Sequence, residues 1–416
     1  MPANIRLTDK YLFNKGNQCM GKKLSKIWVL IILFIGMLDM RGENVWRLYV
    51  GGYNTSENFG INYYSFDEHS NDLQPLGLAV ATDNPSYLVS DKKGNYLYAV
   101  NETAAFDGCG TVSAFSVDKV TGKLTEMSKE STHGTYPCHL TLNRNSTRLV
   151  AANYGSGSII VFPINKKTGK LESFTAFFQY EGSGINKARQ DGPHAHSVNF
   201  DPTYRYLYCC DLGCDKISIY KSNRTGIPLT PSSTPFVKSA EPGAGPRSMA
   251  FHPHKNFVYV VNELNNTISL YTASFDTFLW RVIKKSTYHK DGKLEFVASW
   301  DTLLTEFDGK NTASCVCIHP NGKYLYVSNR GHDSISIFSI DNKTGKLNPK
   351  GFVHTGGKTP RDFSIHPNGK SLIVANQDSN NLVVFTIDPR SGEIKQNSQT
   401  PVTISQPTCV TFVPVK

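Results

Sequence analysis

The sequence predicts an all-β fold, a seven-bladed β-propeller of four-stranded antiparallel blades whose ring is closed by strands from both chain ends. Three observations carry this. Short apolar strands run into polar turns at Gly52-Tyr53, Asn101-Glu102, Asn153-Tyr154, Asp211-Leu212, Asn262-Glu263, Asn329-Arg330 and Asn376-Gln377. Within each unit apolar and polar residues alternate, and Asn/Gly-rich links join the strands as hairpins. The spacing between successive turns from Asn101 onward runs from 47 residues (Asn329 to Asn376) to 67 (Asn262 to Asn329), the length of a propeller blade rather than of a helical solenoid unit.

The unit is clearest in its second copy, where strands are expected at 139–143, 148–153, 158–164 and 170–177. Related stretches recur as NPSYLVSDKKGNYLYAVNE, GPHAHSVNFDPTYRYLYCCDL, GPRSMAFHPHKNFVYVVNEL, TASCVCIHPNGKYLYVSNRG and TPRDFSIHPNGKSLIVANQD. Six full units occupy 85 to about 399. The ends supply a seventh, with QPTCVTFVPV as its innermost strand and WRLYVGGY, GINYYSFD and DLQPLGL as the other three. Mixing the termini in one blade removes the exposed sheet edges that invite aggregation. The long interval holds an insertion at 277–310, read as a loop over one face or as a lengthened hairpin. The 33 Gly, 21 Pro, 20 Tyr and 23 Phe in 416 residues suit a chain full of tight turns. No linker separates the units, so residues 45–416 are expected to form one domain.

Residues 1–44 stand outside the repeats. Lys22, Lys23 and Lys26 precede the apolar run IWVLIILFIGML, the basic start and short core of a secretory signal, and the run is short for a bilayer span. Met20 lies just before the basic cluster and is read as the true start. No small-x-small cleavage site follows, so an uncleaved membrane anchor stays open beside export to the periplasm or exterior, and a cytoplasmic location follows if the leader does not function. The formal charge of +10 is spread along the chain with no dense basic run, which gives no nucleic-acid signature. Of nine cysteines, Cys209, Cys210 and Cys214 cluster, and Cys315 and Cys317 are two apart. Such spacing is awkward for disulfides, so they are read as buried strand residues. A metal cluster of Cys209, Cys214, His194 and His196 is the alternative, but zinc-type pair-plus-pair spacing is missing, and neither metal nor cofactor is expected.

Repeat position alone places a set of polar side chains. The start of an innermost strand lies at the same end of the blade as the finish of its hairpin partner, so both classes gather around the mouth of the central channel. The first class contains His139, His194, Arg247, Ser314, Arg361 and Thr408; the second contains Glu102, Tyr154, Asp211, Glu263, Arg330 and Gln377. Convergent polar groups in a concave mouth are the default site. The Asn and Asp residues at the turns serve local backbone groups in the simpler reading, and the charged residues form interblade ion pairs in theirs. Asp211 is therefore both a turn residue and a substrate-binding candidate, alongside Arg361, His139 and His196.

On VAANYGSGSIIVF, DGPHAHSVNFDP, DLGCDKISIY, GAGPRSMAFHP, YVVNELNNTISLY, YVSNRGHDSISIF and PRDFSIHPNGKSLIVANQ, the chain resembles the seven-bladed lactonase propellers, the family of bacterial 6-phosphogluconolactonases and fungal carboxy-muconate lactonising enzyme, over roughly 46–414. GPR, NEL and SNRG in that order are the specific part. The resemblance implies a carbohydrate-metabolising hydrolase acting on a small, anionic lactone, with His194, Arg247, Glu263 and Arg330 as the catalytic set. The H-x-H sequence leaves His196 as a second candidate for the histidine. Opening a cyclic ester needs a base for water, a cationic group for the oxyanion and an anchor for the substrate's charge. Glu263 is expected as base with His194 assisting, Arg247 and Arg330 as oxyanion and anion holders. No Ser-centred nucleophile elbow appears. A lactonising cycloisomerase on the same scaffold and a non-catalytic binding propeller are the alternatives.

Overall fold

A computed structural model describes residues 45–56, 59–222, 229–273, 291–398 and 401–415. They form seven antiparallel sheets arranged as blades. From the channel outward, blade 1 is Leu88–Ser90, Tyr96–Phe106, Cys109–Val117 and Leu124–Ser131; blade 2 is Pro137–Leu142, Arg148–Asn153, Ser158–Pro163 and Ala176–Gln179; blade 3 is Ala195–Phe200, Tyr206–Asp211, Lys216–Lys221 and Thr230–Lys238. Blade 4 is Pro246–Phe251, Phe257–Asn262, Thr267–Ala273 and Leu294–Asp301; blade 5 is Thr312–Ile318, Tyr324–Arg330, Ser334–Ile340 and Leu347–His354. Blade 6 is Pro360–Ile365, Ser371–Asn376, Asn381–Ile387 and Ile394–Gln396, the last joined on the same edge by Val402–Thr403. Blade 7 takes Pro407–Pro414 as its innermost strand, followed by Val45–Gly52, Ile61–Asp67 and Asp72–Val80. The closure joins Trp46 to Pro414 at one end of the ladder and Gly51 to Cys409 near the other, as the sequence predicts.

The core lies between blades. Seven clusters each draw buried side chains from two adjacent sheets, for example Tyr98, Val100, Leu140 and Leu149 between blades 1 and 2, or Tyr326, Ile335, Phe363 and Val374 between blades 5 and 6. This is why the second strands carry near-continuous apolar runs: both faces are covered. A hydrogen bond repeats between neighbours. The hydroxyls of Tyr49, Tyr98, Tyr208, Tyr259 and Tyr326 donate to the carbonyls of Gly122, Gly169, Gly292, Gly345 and Gly392 at 2.6–2.9 Å. Each acceptor is the left-handed glycine of the next blade's outer hairpin, at φ between 72° and 79°, where a side chain is disfavoured. Blades 2 and 6 carry Val150 and Ile373 at the tyrosine position.

One sequence expectation shifts. In blade 2 the fourth strand is Ala176–Gln179, not 170–177; after the turn only an isolated bridge joins Ile164 to Leu171 before Phe174 turns outward. Pro163 ends the third strand and offers no N–H to continue the ladder. Of the 277–310 insertion, 277–290 lies outside the described residues, and Leu294–Asp301 is the outer strand of blade 4, in line with the lengthened-hairpin reading. The leader reading for residues 1–44 also lies outside the described residues. Cys138, Cys209, Cys210, Cys214 and Cys409 are free and buried, and among the described residues no three His, Cys, Asp or Glu gather to hold a metal.

Candidate functional site

Five of the seven innermost strands begin with a bulge that aims one side chain into the channel. In blade 4, Pro246 faces Asn262 and Ser248 faces Val261, so Arg247 is the extra residue. The same step leaves Cys138 in blade 2, His196 in blade 3, Arg361 in blade 6 and Thr408 in blade 7. Bulges re-aim side chains beside functional sites in this way. All five line one cavity of about 210 Å3 at the centre of the ring. The register of Arg247 therefore belongs to Cys138 and His196, whereas the sequence pattern places His139 and His194 there.

The charged residues expected at the mouth do meet. Glu263 is 4% exposed, and its Oε2 lies 2.8 Å from Arg330 Nη2 and 2.9 Å from Arg247 Nε. The Arg247 Nε–H points too far off that oxygen for a regular hydrogen bond, so this second contact is a charge pairing. Arg247 is anchored separately, its Nη1 donating to the Ser314 carbonyl at 2.8 Å. Arg330 leans on blade 5 through Nε to the Thr312 carbonyl at 3.3 Å. A third guanidinium, Arg189, donates from Nη2 to Glu263 Oε1 at 2.5 Å. Burial alone would raise the Glu263 pKa, but Arg330, Arg247 and Arg189 together hold its carboxyl far below the usual carboxylate range. Burial and the neighbouring Arg247 and Arg361 push Arg330 down to about 10 against the pull of Glu263, so it stays cationic at neutral pH.

In this geometry Glu263 is the centre of an ion-pair cluster. A general base works best with a pKa near the operating pH, and a carboxylate clamped by three guanidiniums holds its charge instead of taking a proton. Glu263 is a hub that fixes Arg247 and Arg330 while leaving Arg247 Nη2 and Arg330 Nη1 without a protein partner among the described residues.

The three histidines differ. His194 stacks on Tyr154 with ring centroids 4.6 Å apart. Its Nδ1 is 2.9 Å from the Tyr154 carbonyl, an acceptor only, so Nδ1 carries a hydrogen. Nε2 is left facing Asp191 Oδ1 at 3.3 Å. His196 is buried with Nδ1 3.8 Å from Cys138 Sγ; burial and Arg247 hold it well below the ordinary histidine range. His139 stacks on Tyr87, its Nδ1 accepting the Val198 N–H at 3.3 Å, and burial with Arg247 pushes it down to about 3. His139 and His196 are thus neutral walls of the cavity.

Across the mouth stands a second cluster. Arg361 Nη2 donates to the Tyr53 hydroxyl at 2.9 Å, which donates to Glu102 Oε1 at 2.8 Å. Asp211 departs from its substrate-binding assignment: its Oδ1 accepts the N–H groups of His194, Gly213 and Cys214 at 2.8–3.1 Å, capping the turn. Asn101, Asn153, Asn262, Asn329 and Asn376 likewise tie their turns to nearby threonine or serine groups.

Sequence reasoning missed Arg189 and Tyr53. Arg189 sits on the connection between blades 2 and 3, pinned by Gln190, which is fully buried and donates to the Leu212 carbonyl at 2.9 Å. The segment GSGINKARQD has no counterpart in the other repeats, which was the available signal.

Known proteins share the sequence and fold of the propeller. The family described as "Lactonase, 7-bladed beta-propeller" matches residues 47–412. A 6-phosphogluconolactonase of Bacillus subtilis strain 168 is 33% identical over 315 residues, covering 76% of this chain and 83% of that protein. A 6-phosphogluconolactonase of Formosa agariphila is 33% identical over 320 residues, covering 76% and 85%. Among solved structures, the periplasmic gluconolactonase of Pseudomonas aeruginosa superposes with a TM-score of 0.79 at 29% identity, covering 89% of this chain and all of that one.

Proposed function

The chain belongs to the seven-bladed β-propeller lactonase family, and we propose that it hydrolyses a sugar lactone bearing an anionic group, of the 6-phosphogluconolactone type. The observation that carries the reading is the charge of the mouth: four guanidiniums, Arg189, Arg247, Arg330 and Arg361, open on it against the carboxylates of Glu102 and Glu263. A surplus of cations in a partly enclosed site favours a substrate carrying a phosphate or carboxylate, and relatives named for 6-phosphogluconolactone support the phosphate.

In this reading His194 is the base. With Nδ1 protonated toward Tyr154 and the largely exposed Asp191 turned off Nε2, the Nε2 lone pair takes a proton from water as the water oxygen bonds to the lactone carbonyl carbon. Asp191 then faces the imidazolium. The carbonyl oxygen becomes an oxyanion beside the free N–H groups of Arg247 and Arg330, already fixed by Glu263 and so needing no reorganisation. The tetrahedral intermediate collapses by breaking the bond to the ring oxygen, which leaves as alkoxide and recovers the proton from His194. The product is an open-chain hydroxy acid.

The test is a hydrolysis panel of phosphorylated and unphosphorylated sugar lactones and muconolactones. Preference for the phosphorylated sugar lactone, with a fall in kcat on the order of a hundredfold in His194→Asn, is the expected result. Turnover of muconolactones alone, or of none, overturns it. Export through residues 1–44 is part of the same proposal, and N-terminal sequencing of the mature protein from fractionated cells tests it.

A further inference from the structure

Glu102 has an oxygen with nothing to bind. Its Oε1 accepts the Tyr53 hydroxyl at 2.8 Å, while Oε2 is enclosed and has no hydrogen-bond partner. An enclosed carboxylate oxygen left without a donor is costly. Glu102 lines the same central cavity as Arg247, Arg361 and His196. Its position is held from behind: Arg361 donates to Tyr53 at 2.9 Å, its guanidinium lies 5.3 Å from the Tyr53 ring centroid, and it also reaches Gln377 Oε1 at 3.5 Å. Nothing in this arrangement resembles the Glu263 hub, whose two oxygens are both taken by guanidiniums.

The geometry points to Glu102 as the group that recognises the substrate's hydroxyls, with Tyr53 and Arg361 as its positioning residues. A carboxylate oxygen accepts only. It repels a phosphate or carboxylate and takes O–H donors, of which a polyhydroxylated lactone has several and a muconolactone ring has none to spare. The mouth is then divided: the Arg247, Arg330 and Arg189 side takes the substrate's anion and developing charge, and the Glu102 side takes the sugar's hydroxyls. This assignment rests on the sugar-lactone reading above, and it predicts discrimination that arginines alone do not give. A site built to bind a hydroxyl rejects analogues that lack it more strongly than an apolar pocket rejects an extra group.

The experiment is calorimetric titration of the full-length protein and its Glu102→Gln and Glu102→Ala variants. The probes are glucitol 6-phosphate and hexyl phosphate, which carry the same anion on a six-carbon chain with and without hydroxyls. Removing Glu102 weakens glucitol 6-phosphate binding, roughly tenfold for Gln and roughly 10- to 100-fold for Ala, from the loss of a charge-assisted bond. Hexyl phosphate binds these variants as well as before or better, because a nearby negative charge is gone. Tyr53→Phe moves glucitol 6-phosphate in the same direction by a smaller factor, since it frees Glu102 without removing it. Equal weakening of both probes, or of neither, overturns the assignment, as does a wild type that does not prefer the polyol. A Glu102→Gln enzyme that binds the polyol normally but loses kcat a hundredfold also overturns it, by making Glu102 a base. These binding readouts do not require turnover, so the hydroxyl assignment and the hydrolase reading fail separately. Unchanged thermal unfolding temperatures show that the variants are folded.

Discussion

Replacing Glu263 by Gln separates a structural hub from a proton acceptor. The Glu263 side chain is 4% exposed and its partners Arg247 and Arg330 are 7% and 13% exposed, whereas Arg189 is 40% exposed. Breaking a buried ion pair by removing one partner costs about 3–5 kcal/mol, because the other charge stays behind without compensation. The contact to Arg189 adds little, since solvent screens it. Glu263→Gln is therefore expected to lose about 3–5 kcal/mol at pH 7. With an unfolding entropy of about 2.1 cal/mol/K per residue, a propeller of this size loses roughly 4–6 °C in Tm, read by circular dichroism.

The pH dependence carries the sharper refutation. The folded Glu263 carboxyl is held below its unfolded value, so its stabilisation is complete above the unfolded carboxylate pKa and is lost as pH falls toward the folded one. The stability gap between wild type and Glu263→Gln stays constant from about pH 8 to pH 5 and narrows below about pH 4.5, by up to ~1.4 kcal/mol per pH unit. Activity falls with the misplaced arginines, but the acid limb of kcat keeps its position in the variant. Equal Tm values at pH 7, a gap that does not narrow in acid, or loss of the acid limb in Glu263→Gln would each defeat the hub argument.

Two further outcomes follow from the packing. Arg189→Ala removes a half-exposed guanidinium, so stability changes by about 0–1 kcal/mol, while KM for a phosphorylated lactone rises several-fold with kcat nearly unchanged; initial-rate kinetics at low and high salt check this, because the effect shrinks as salt screens the charge. Tyr259→Phe deletes the bond to the Gly345 carbonyl at 2.7 Å and leaves a buried acceptor unpaired, costing about 1–3 kcal/mol in chemical denaturation, with no change in KM because the contact lies on the far side of the blade from the mouth.

How much of this was legible in the sequence depends on whether a residue belongs to the repeat. The blades, their number and the closure by Pro407–Pro414 beside Val45–Gly52 follow from a pattern written seven times, in which each copy corrects errors in the others. Arg247, Glu263 and Arg330 converge as expected because circular symmetry fixes strand ends whatever the side chain. The histidines show the limit. The bulge residues in the frame of Arg247 are Cys138 and His196, one residue before His139 and two after His194, so a histidine near a strand start is not by itself the residue at the bulge. Aligning GPRS on AHS, with Ser248 against Ser197, contained the correct frame. Arg189 was beyond any such counting, because it reaches Glu263 from 74 residues away on a connection that occurs once. The role of Glu263 is hidden from sequence for a related reason. Sequence places a carboxylate near arginines, but whether it accepts protons or pins guanidiniums depends on how many of them touch it, and the third came from outside the repeat.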